Sequence, residues 1–591
     1  MMGGQFTLKQ LTHVPRLGFN GNNLHVLNVR LMSRTFSALL LIAVTFYIPT
    51  SLVAATSPEL DKILQDATRT NIRKPDITKS SPILAPEQES KQKSPAGEVR
   101  VMVTRFTFNG NNSISTEQLS GIVADGENKS LNFGELMTIV ERVENYYKAA
   151  GYFLAQAYLS PQKIQDGSIE ISVSEGRLGQ ARLEGESRVK AAVVYAYLDK
   201  LDKGKAVKLA AVERQILLIN DLAGSSAKLD VQASEESGFT DIVISQELKS
   251  ALSGRVELNN HGMPSTGQEH LGLFINDSSP LGLGDRLSGN AMSSNHGNLV
   301  SYGLNYELPV GANGWRISSG TSLSQYKIVS DAYKALNLTG TIHAYRIGLT
   351  YPFIRSLNRN VNLRLDAAHN IMNSDSSFGG NQNTSNVFNA NIGSDWMDTW
   401  LGGSANHADV TMTRGKLSLG ASALASDNNT DGNFSKVVLT IQREQNITNS
   451  ISLQSQLIMQ QALNNLDGSE KFSIGGPSTM PGYASGEASG DNAALLKLKV
   501  NWHIRQDTAI SFFADFAHIK AALHPVAASD CNADPNVTNN RCHFSDAGFS
   551  VDWQGEKGIT ASMLMAWAIT EKPNPADDKS PRIWANLGYN W

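Results

Sequence analysis

From about Ser253 to Trp591 hydrophobic and polar positions alternate with a period of two in run after run, and no segment of useful length keeps the period of a helix. The strand Ala494–Arg505 shows the pattern most clearly. Leu496, Leu498, Val500, Trp502 and Ile504 fall on one side, and Lys497, Lys499, Asn501, His503 and Arg505 on the other. Five polar or charged positions in a row could not fill a dry sandwich core, because each would lose hydration without gaining a partner. A membrane barrel with a wet lumen accepts them. In Tyr345, Ile347, Leu349, Tyr351 and Phe353 the outward set ends in aromatics, as an interfacial girdle requires, while Ala344, Arg346, Gly348 and Thr350 point inward. About sixteen such runs can be counted, an even number in the range of bacterial barrels.

The connections between runs take turns being long and short. The long ones are Val329–Gly340, Met372–Ser385, Ala423–Phe434, Asn464–Asn492, Ala521–His543 and Thr570–Arg582. Leu308–Trp315, Asn446–Ser450, Arg505–Thr508 and Gln554–Gly558 are short. A chain that enters its first strand from the periplasm therefore places the long loops outside the cell, with the barrel over 252–591.

Upstream the texture changes to mixed helix and strand. Val99–Asn109 reads as a strand, Ser115–Ala124 and Asn132–Ala150 as helices, and Ala155–Leu159 and Ser168–Ser174 as strands. Phe133, Leu136, Met137, Val140 and Val143 recur at steps of three and four, so the second helix buries one stripe. The same order of elements returns at once, giving two α+β units over 99–178 and 179–248 and an internal repeat of about seventy to eighty residues. The expected fold class is mixed: two periplasmic α+β domains followed by a transmembrane antiparallel β-barrel of about sixteen strands.

The apolar run Phe36–Ala55, preceded by Arg34 and closing on small residues, reads as a secretory signal, giving a signal segment over 1–55. Met32 is a candidate true start, since Met32-Ser-Arg34 supplies an ordinary basic region. Residues 56–70 follow as a short helix with Ser57 as cap and Pro58 in its first turn, and 71–98, rich in Pro, Ser, Lys and Gln, as a flexible linker.

Several stretches together resemble one family. Phe106-Thr-Phe-Asn-Gly110, the helix ending Tyr147-Lys-Ala-Ala-Gly-Tyr-Phe-Leu-Ala155, and Asp166-Gly-Ser-Ile-Glu-Ile-Ser-Val-Ser-Glu-Gly176 look like a polypeptide-transport-associated (POTRA) domain. The type is the first such domain of the outer-membrane transporters of two-partner secretion, the haemolysin secretion/activation family. Residues 179–248 resemble their second domain. In the barrel half, Asn259-Asn-His-Gly262, Thr266-Gly267, Pro280-Leu-Gly-Leu-Gly-Asp285, Tyr351-Pro-Phe-Ile-Arg355 and Glu470-Lys-Phe-Ser-Ile-Gly-Gly476 are similar to family motifs. The resemblance implies that 56–70 is a plug helix and that the loop 464–492 folds into the lumen. It also implies that Tyr589 and Trp591 form a carboxy-terminal signal read by the barrel assembly machinery. The implied partner is one large β-helical exoprotein of adhesin, haemolysin or haem-binding type, encoded separately, with outer-membrane lipid around the barrel.

In the family the loop tip carries Arg-Gly-Tyr/Phe, whose arginine pairs with the aspartate of an inner-wall Phe-x-Asp motif. Phe513 and Asp515 match the wall motif, but the tip, Gly475 and Gly476 followed by Met480-Pro481-Gly482-Tyr483, has proline in place of the arginine. A buried Asp515 without that partner needs another base, and Lys497 and Lys499 are the inward candidates.

Composition removes other classes. A net charge of −4 and 18% charged residues give no sign of nucleic-acid binding. No nucleophile-elbow, zinc-protease or phosphate-loop motif is present and the histidines show no ligand spacing, so neither an enzyme, a cofactor nor a metal is expected. Cys531 and Cys542, in a loop rich in Asn, Asp and Pro, are expected to form a disulfide. The main reading is a translocation pore that exports an unfolded exoprotein without ATP. The alternatives are an assembly factor inserting other barrels, and a passive porin or surface binding protein.

Overall fold

A computed structural model describes residues 62–63, 65–66 and 99–591, apart from 237, 332–333, 378, 425–426, 428, 526–539 and 571–578. The signal segment and most of 56–98 lie outside the described residues.

The first α+β unit opens with two strands rather than one. β1 (Arg100–Val103) and β2 (Arg105–Asn109) are separated at Thr104, whose amide donates to Gly167 O. They part because they have different partners: β1 pairs with β3, and β2 runs parallel to β5. After β2, α1 (Thr116–Val123) starts at Ser115 with Gln118 completing a capping box. β3 (Lys129–Asn132) then leads into α2 (Phe133–Ala149), boxed in the same way by Asn132 and Glu135. Each box satisfies orphan amides at a helix start, which fixes where these helices begin. β4 (Gln156–Leu159) and β5 (Ser168–Ser174) complete the sheet. α2 buries Leu136, Ile139, Val140, Val143 and Tyr147 against it.

The second unit repeats the plan with β6 (Arg177–Gly185), α3 (Ala191–Leu198), α4 (Leu209–Asn220), β7 (Ala227–Ala233) and β8 (Phe239–Gln246). In both units the opening strand runs parallel to the closing one, which also pairs antiparallel with the strand before it. Tyr197, Ile216, Ile219, Leu229 and Ile242 form the second core.

The barrel wall begins with β9 (Leu252–Asn259), β10 (His270–Ser278), β11 (Arg286–Ser294), β12 (Leu299–Val310) and β13 (Trp315–Lys327). It continues through β14 (Thr339–Arg355), β15 (Arg359–Ser376), β16 (Gly379–Asp398), β17 (Ser404–Ser418), β18 (Gly432–Asn446) and β19 (Ile451–Ala462). A small ribbon, β20 (Phe472–Ile474) with β21 (Ala488–Gly490), leaves the wall. β22 (Asn492–His503), β23 (Thr508–Lys520), β24 (Arg541–Gln554), β25 (Ile559–Ala568) and β26 (Arg582–Asn590) complete it. Among the described residues sixteen strands close into one antiparallel barrel, β26 pairing with β9. The fold class read from the alternation is therefore the one found. No described helix is long and apolar enough to cross a membrane.

The second unit sits against the short turns of the wall. Arg355 makes a two-toothed pair with Asp221, Nη2 to Oδ1 at 2.7 Å and Nε to Oδ2 at 3.0 Å. Arg316 donates to Asp221 O at 2.7 Å, and Leu357 donates its amide to Glu213 at 2.5 Å. This is the end expected to face the periplasm, and the opposite rim carries the long loops.

Two further expectations need correction. The connection Met372–Ser385 is not a long loop, because β15 runs to Ser376 and β16 starts at Gly379. Strand pairing continues past the apolar belt there, held by ladder bonds from Ile371–Thr384 up to Ser376–Gly379. Cys542 does not lie in a loop but is the second residue of β24, buried on the inner face; it is disulfide-bonded, and Cys531 lies outside the described residues.

Candidate functional site: the lumen loop and its wall

Between β19 and β22 the chain turns into the barrel. The ribbon β20–β21 reverses over a tight passage in which Gly475 and Gly476 have φ of +96° and +82°. A Cβ on Gly475 would stand 1.8 Å from Ala484 O, so no side chain fits there. Phe472, Ile474, Met480 and Tyr483 join Leu495, Ile519 and Phe544 of the inner wall in one apolar cluster.

The tip is fastened by backbone groups as much as by side chains. Gly482 donates its amide to Asp546 Oδ2 at 2.6 Å, and Trp584 Nε1 donates to Pro481 O at 2.8 Å. The Tyr483 hydroxyl meets Ser545 O at 3.0 Å and Thr570 Oγ1 at 2.6 Å, and its ring stands edge-on to Phe544 with centroids 5.4 Å apart. Ser485 Oγ donates to His261 O at 2.9 Å, beyond the end of β9. The tip thus touches β24, β26 and the chain after β9 from inside.

Beside it lies a charge cluster set by register. Lys497, Asp515 and Asp546 are direct neighbours across β22, β23 and β24. Lys497 Nζ is 3.8 Å from Asp515 Oδ2 and donates to Ser478 O of the loop at 2.8 Å. The ammonium therefore bridges wall and loop, and its contact to Asp515 is an ion pair rather than a close hydrogen bond. Lys499 faces Asp552 instead, at 3.9 Å. Phe513 points inward with its ring across Gly548, where a Cβ would meet it at 2.6 Å.

Asp546, Trp584 and Thr570 were not singled out in the sequence. Parity puts Asp546 and Trp584 inward, but only the register shows that Asp546 lies opposite Asp515. Of the expected plug helix, Lys62, Ile63, Gln65 and Asp66 are described and helical. Ile63 is 2% exposed in a cluster with Leu299, Tyr326, Ile342, Phe434 and Leu466 near the extracellular rim. Gln65 Nε2 donates to Gly468 O at 3.0 Å, so this segment touches the same loop. Tyr589 and Trp591 stack at 6.0 Å on the outer face, and Trp591 exchanges backbone hydrogen bonds with Gly254.

Residues 238–523 match the family described as haemolysin secretion/activation protein ShlB/FhaC/HecB, and residues 101–176 the POTRA domain of ShlB type. The chain is 23% identical over 408 residues to the heme/hemopexin transporter protein HuxB of Haemophilus influenzae, covering 67% of this chain and 70% of that protein. It is also 23% identical over 424 residues to the outer membrane transporter CdiB of Escherichia coli, covering 68% and 69%. The solved structure of CdiB from Escherichia coli superposes with a TM-score of 0.66 at 18% identity, covering 85% of this chain and 93% of that one. That likeness concerns the fold. With barrel, loop and amino-terminal α+β units in place, the chain belongs to the haemolysin secretion/activation family of outer-membrane transporters, its POTRA region lying in the periplasm.

Proposed function

We propose that this protein is the outer-membrane pore through which one large, separately encoded exoprotein leaves the cell unfolded. The observation that carries the reading is the occupied lumen. A closed barrel with an inward polar face is filled by a loop and a helical segment that touch each other through Gln65 and Gly468. The loop is held by its apolar cluster on the wall, by the buried Lys436–Glu470 pair and by hydrogen bonds, and the helical segment by the packing of Ile63 and the Gln65 hydrogen bond; all of these are non-covalent, so an arriving chain that offers equivalent contacts can displace them. No covalent step is involved, and the barrel supplies a wet corridor in which the extended backbone stays hydrated.

The second α+β unit acts as the second POTRA domain, and with the first it receives the passenger as an added strand on a sheet edge or in a groove beside it. Its dock on the periplasmic turns through Asp221 delivers the passenger to the barrel mouth. Folding of the exported part outside the cell supplies the drive. The partner is an adhesin, haemolysin or haem-binding exoprotein, and the barrel assembly machinery inserts the transporter itself. The protein performs no catalysis.

Deleting the gene tests this. One very large protein should vanish from the medium or cell surface and return on complementation, while other outer-membrane barrels keep their levels. An unchanged set of secreted proteins overturns the reading, and a general fall in barrel proteins would instead mark an assembly factor.

A further inference from the structure

The outward face of β14–β18 changes character over two rungs near the extracellular rim. One rung, Leu349–Leu365–Ala390–Met412–Val437, is wholly apolar. The next toward the rim is Ile347–Ala367–Phe388–Arg414, and the one after it Tyr345–His369–Asn386–Lys416–Asn433. Ile347 and Phe388 project from the wall while Ala367 between them does not, which leaves a groove of about 580 Å³ across the four strands with Arg414 at one end. His369 Nδ1 and Asn386 Oδ1, 2.9 Å apart, form its polar upper edge.

Arg414 and Lys416 are both exposed, and neither forms an ion pair or a side-chain hydrogen bond among the described residues. Inward cations such as Lys497 and Lys436, by contrast, have carboxylate partners. Two unpaired cations on adjoining rungs, about 7 Å apart along one strand, stand where acyl chains give way to head groups. An arginine at such a level is matched by a phosphate, which its fork can take with two hydrogen bonds. The groove below the cations is continuous with the lipid belt and runs across about 14 Å of wall. It accommodates several chains side by side rather than a single one.

We propose that this face is a binding site for the phosphorylated glucosamine lipid of the external leaflet, the lipid A portion of lipopolysaccharide. Arg414 and Lys416 hold a phosphate, the His369–Asn386 pair and Asn433 meet sugar hydroxyls, and Ile347 and Phe388 flank the acyl chains. A bound lipid of this kind anchors the longest strands of the barrel on the side away from the seam between β9 and β26.

The test uses the full-length protein in detergent, titrated with bisphosphorylated lipid A, dephosphorylated lipid A, phosphatidylglycerol and inorganic phosphate, with bound lipid counted by native mass spectrometry. Saturable binding of bisphosphorylated lipid A is expected, weakened at least tenfold by R414E/K416E and at least tenfold by removing the phosphates. Arg359→Glu, at the periplasmic end, should leave binding unchanged. Folding of each variant is checked by its faster migration on unheated gels. If R414E/K416E does not fold, R414Q/K416Q is read in its place and should lose at least fivefold. Equal binding by the double variant, or equal competition by phosphatidylglycerol or inorganic phosphate, overturns the site.

Discussion

Gly482 has no unusual backbone angle, yet the loop tip depends on its lacking a side chain. A Cβ there would lie 2.7 Å from Asp546 Cβ, 2.8 Å from Ala568 N and 2.9 Å from Trp567 C. Two of these atoms are wall backbone and cannot give way. Gly482→Ala must lift the tip, break the 2.6 Å bond to Asp546 and loosen the Trp584 contact to Pro481 O. The expected cost is about 1–3 kcal/mol. In planar bilayers the variant should conduct more often than the parent, and unchanged conductance would remove the tip from the closure of the pore. The same crowding explains how a proline can stand where the family has arginine. The wall reaches the loop through a backbone amide and carbonyls, and the cation comes from Lys497 on the wall.

Among the elements, α2 is tied to its sheet at one buried point. The Tyr147 hydroxyl donates to Glu175 at 3.1 Å, and the same carboxylate accepts from Ser113 N at 2.6 Å and Ser113 Oγ at 2.8 Å. Burial, and then the Glu175 charge, push the Tyr147 hydroxyl well above its ordinary value. The neutral phenol is thus favoured by folding. Its contribution is fully present below the unfolded value of about pH 10 and is lost as pH rises toward the folded one. Amide exchange of α2 in the full-length protein should accelerate above about pH 10 beyond the chemical trend. In Tyr147→Phe, α2 should be less protected at neutral pH by about 1–2 kcal/mol and should lose that extra alkaline acceleration. Identical alkaline profiles would show that Glu175 and Tyr147 do not hold the helix. Helix starts and the buried stripe were legible in the sequence, through Ser115, Asn132 and the spacing of Leu136, Val140 and Val143. The break at Thr104 was not, because a strand divided between two partners keeps one period.

For the molecule as a whole, the joint between the second unit and the barrel rests on Asp221. Arg355 is nearly buried there, and Arg316 approaches the same carboxylate at 3.8 Å while also pairing with Glu307. Removing Arg355 leaves Asp221 with the more distant cation, at a cost of about 3 kcal/mol for a broken buried pair. Arg355→Ala should raise hydrogen exchange in the turns around Gly314 and Leu357 and slow export, with the barrel still folded on unheated gels. Unchanged exchange in both turns would mean that Leu218 and Leu357 carry the joint by packing alone.

Alternation by itself determined that the second half of this chain is a barrel, which side of each strand faces lipid, and that Phe513, Asp515, Lys497 and Lys499 point inward. It did so because a period of two depends only on local backbone geometry. What stands beside what was decided by register: Asp546 against Asp515, Lys497 rather than Lys499 as the nearer cation, and Arg414 above a groove floored by Ala367. Register is fixed by the sum of many ladder bonds and packed pairs along long strands, and no short run of residues carries that sum. The extension of β15 and β16 through the expected loop at 372–385 has the same origin, since polar residues above the membrane pair as readily as apolar ones within it.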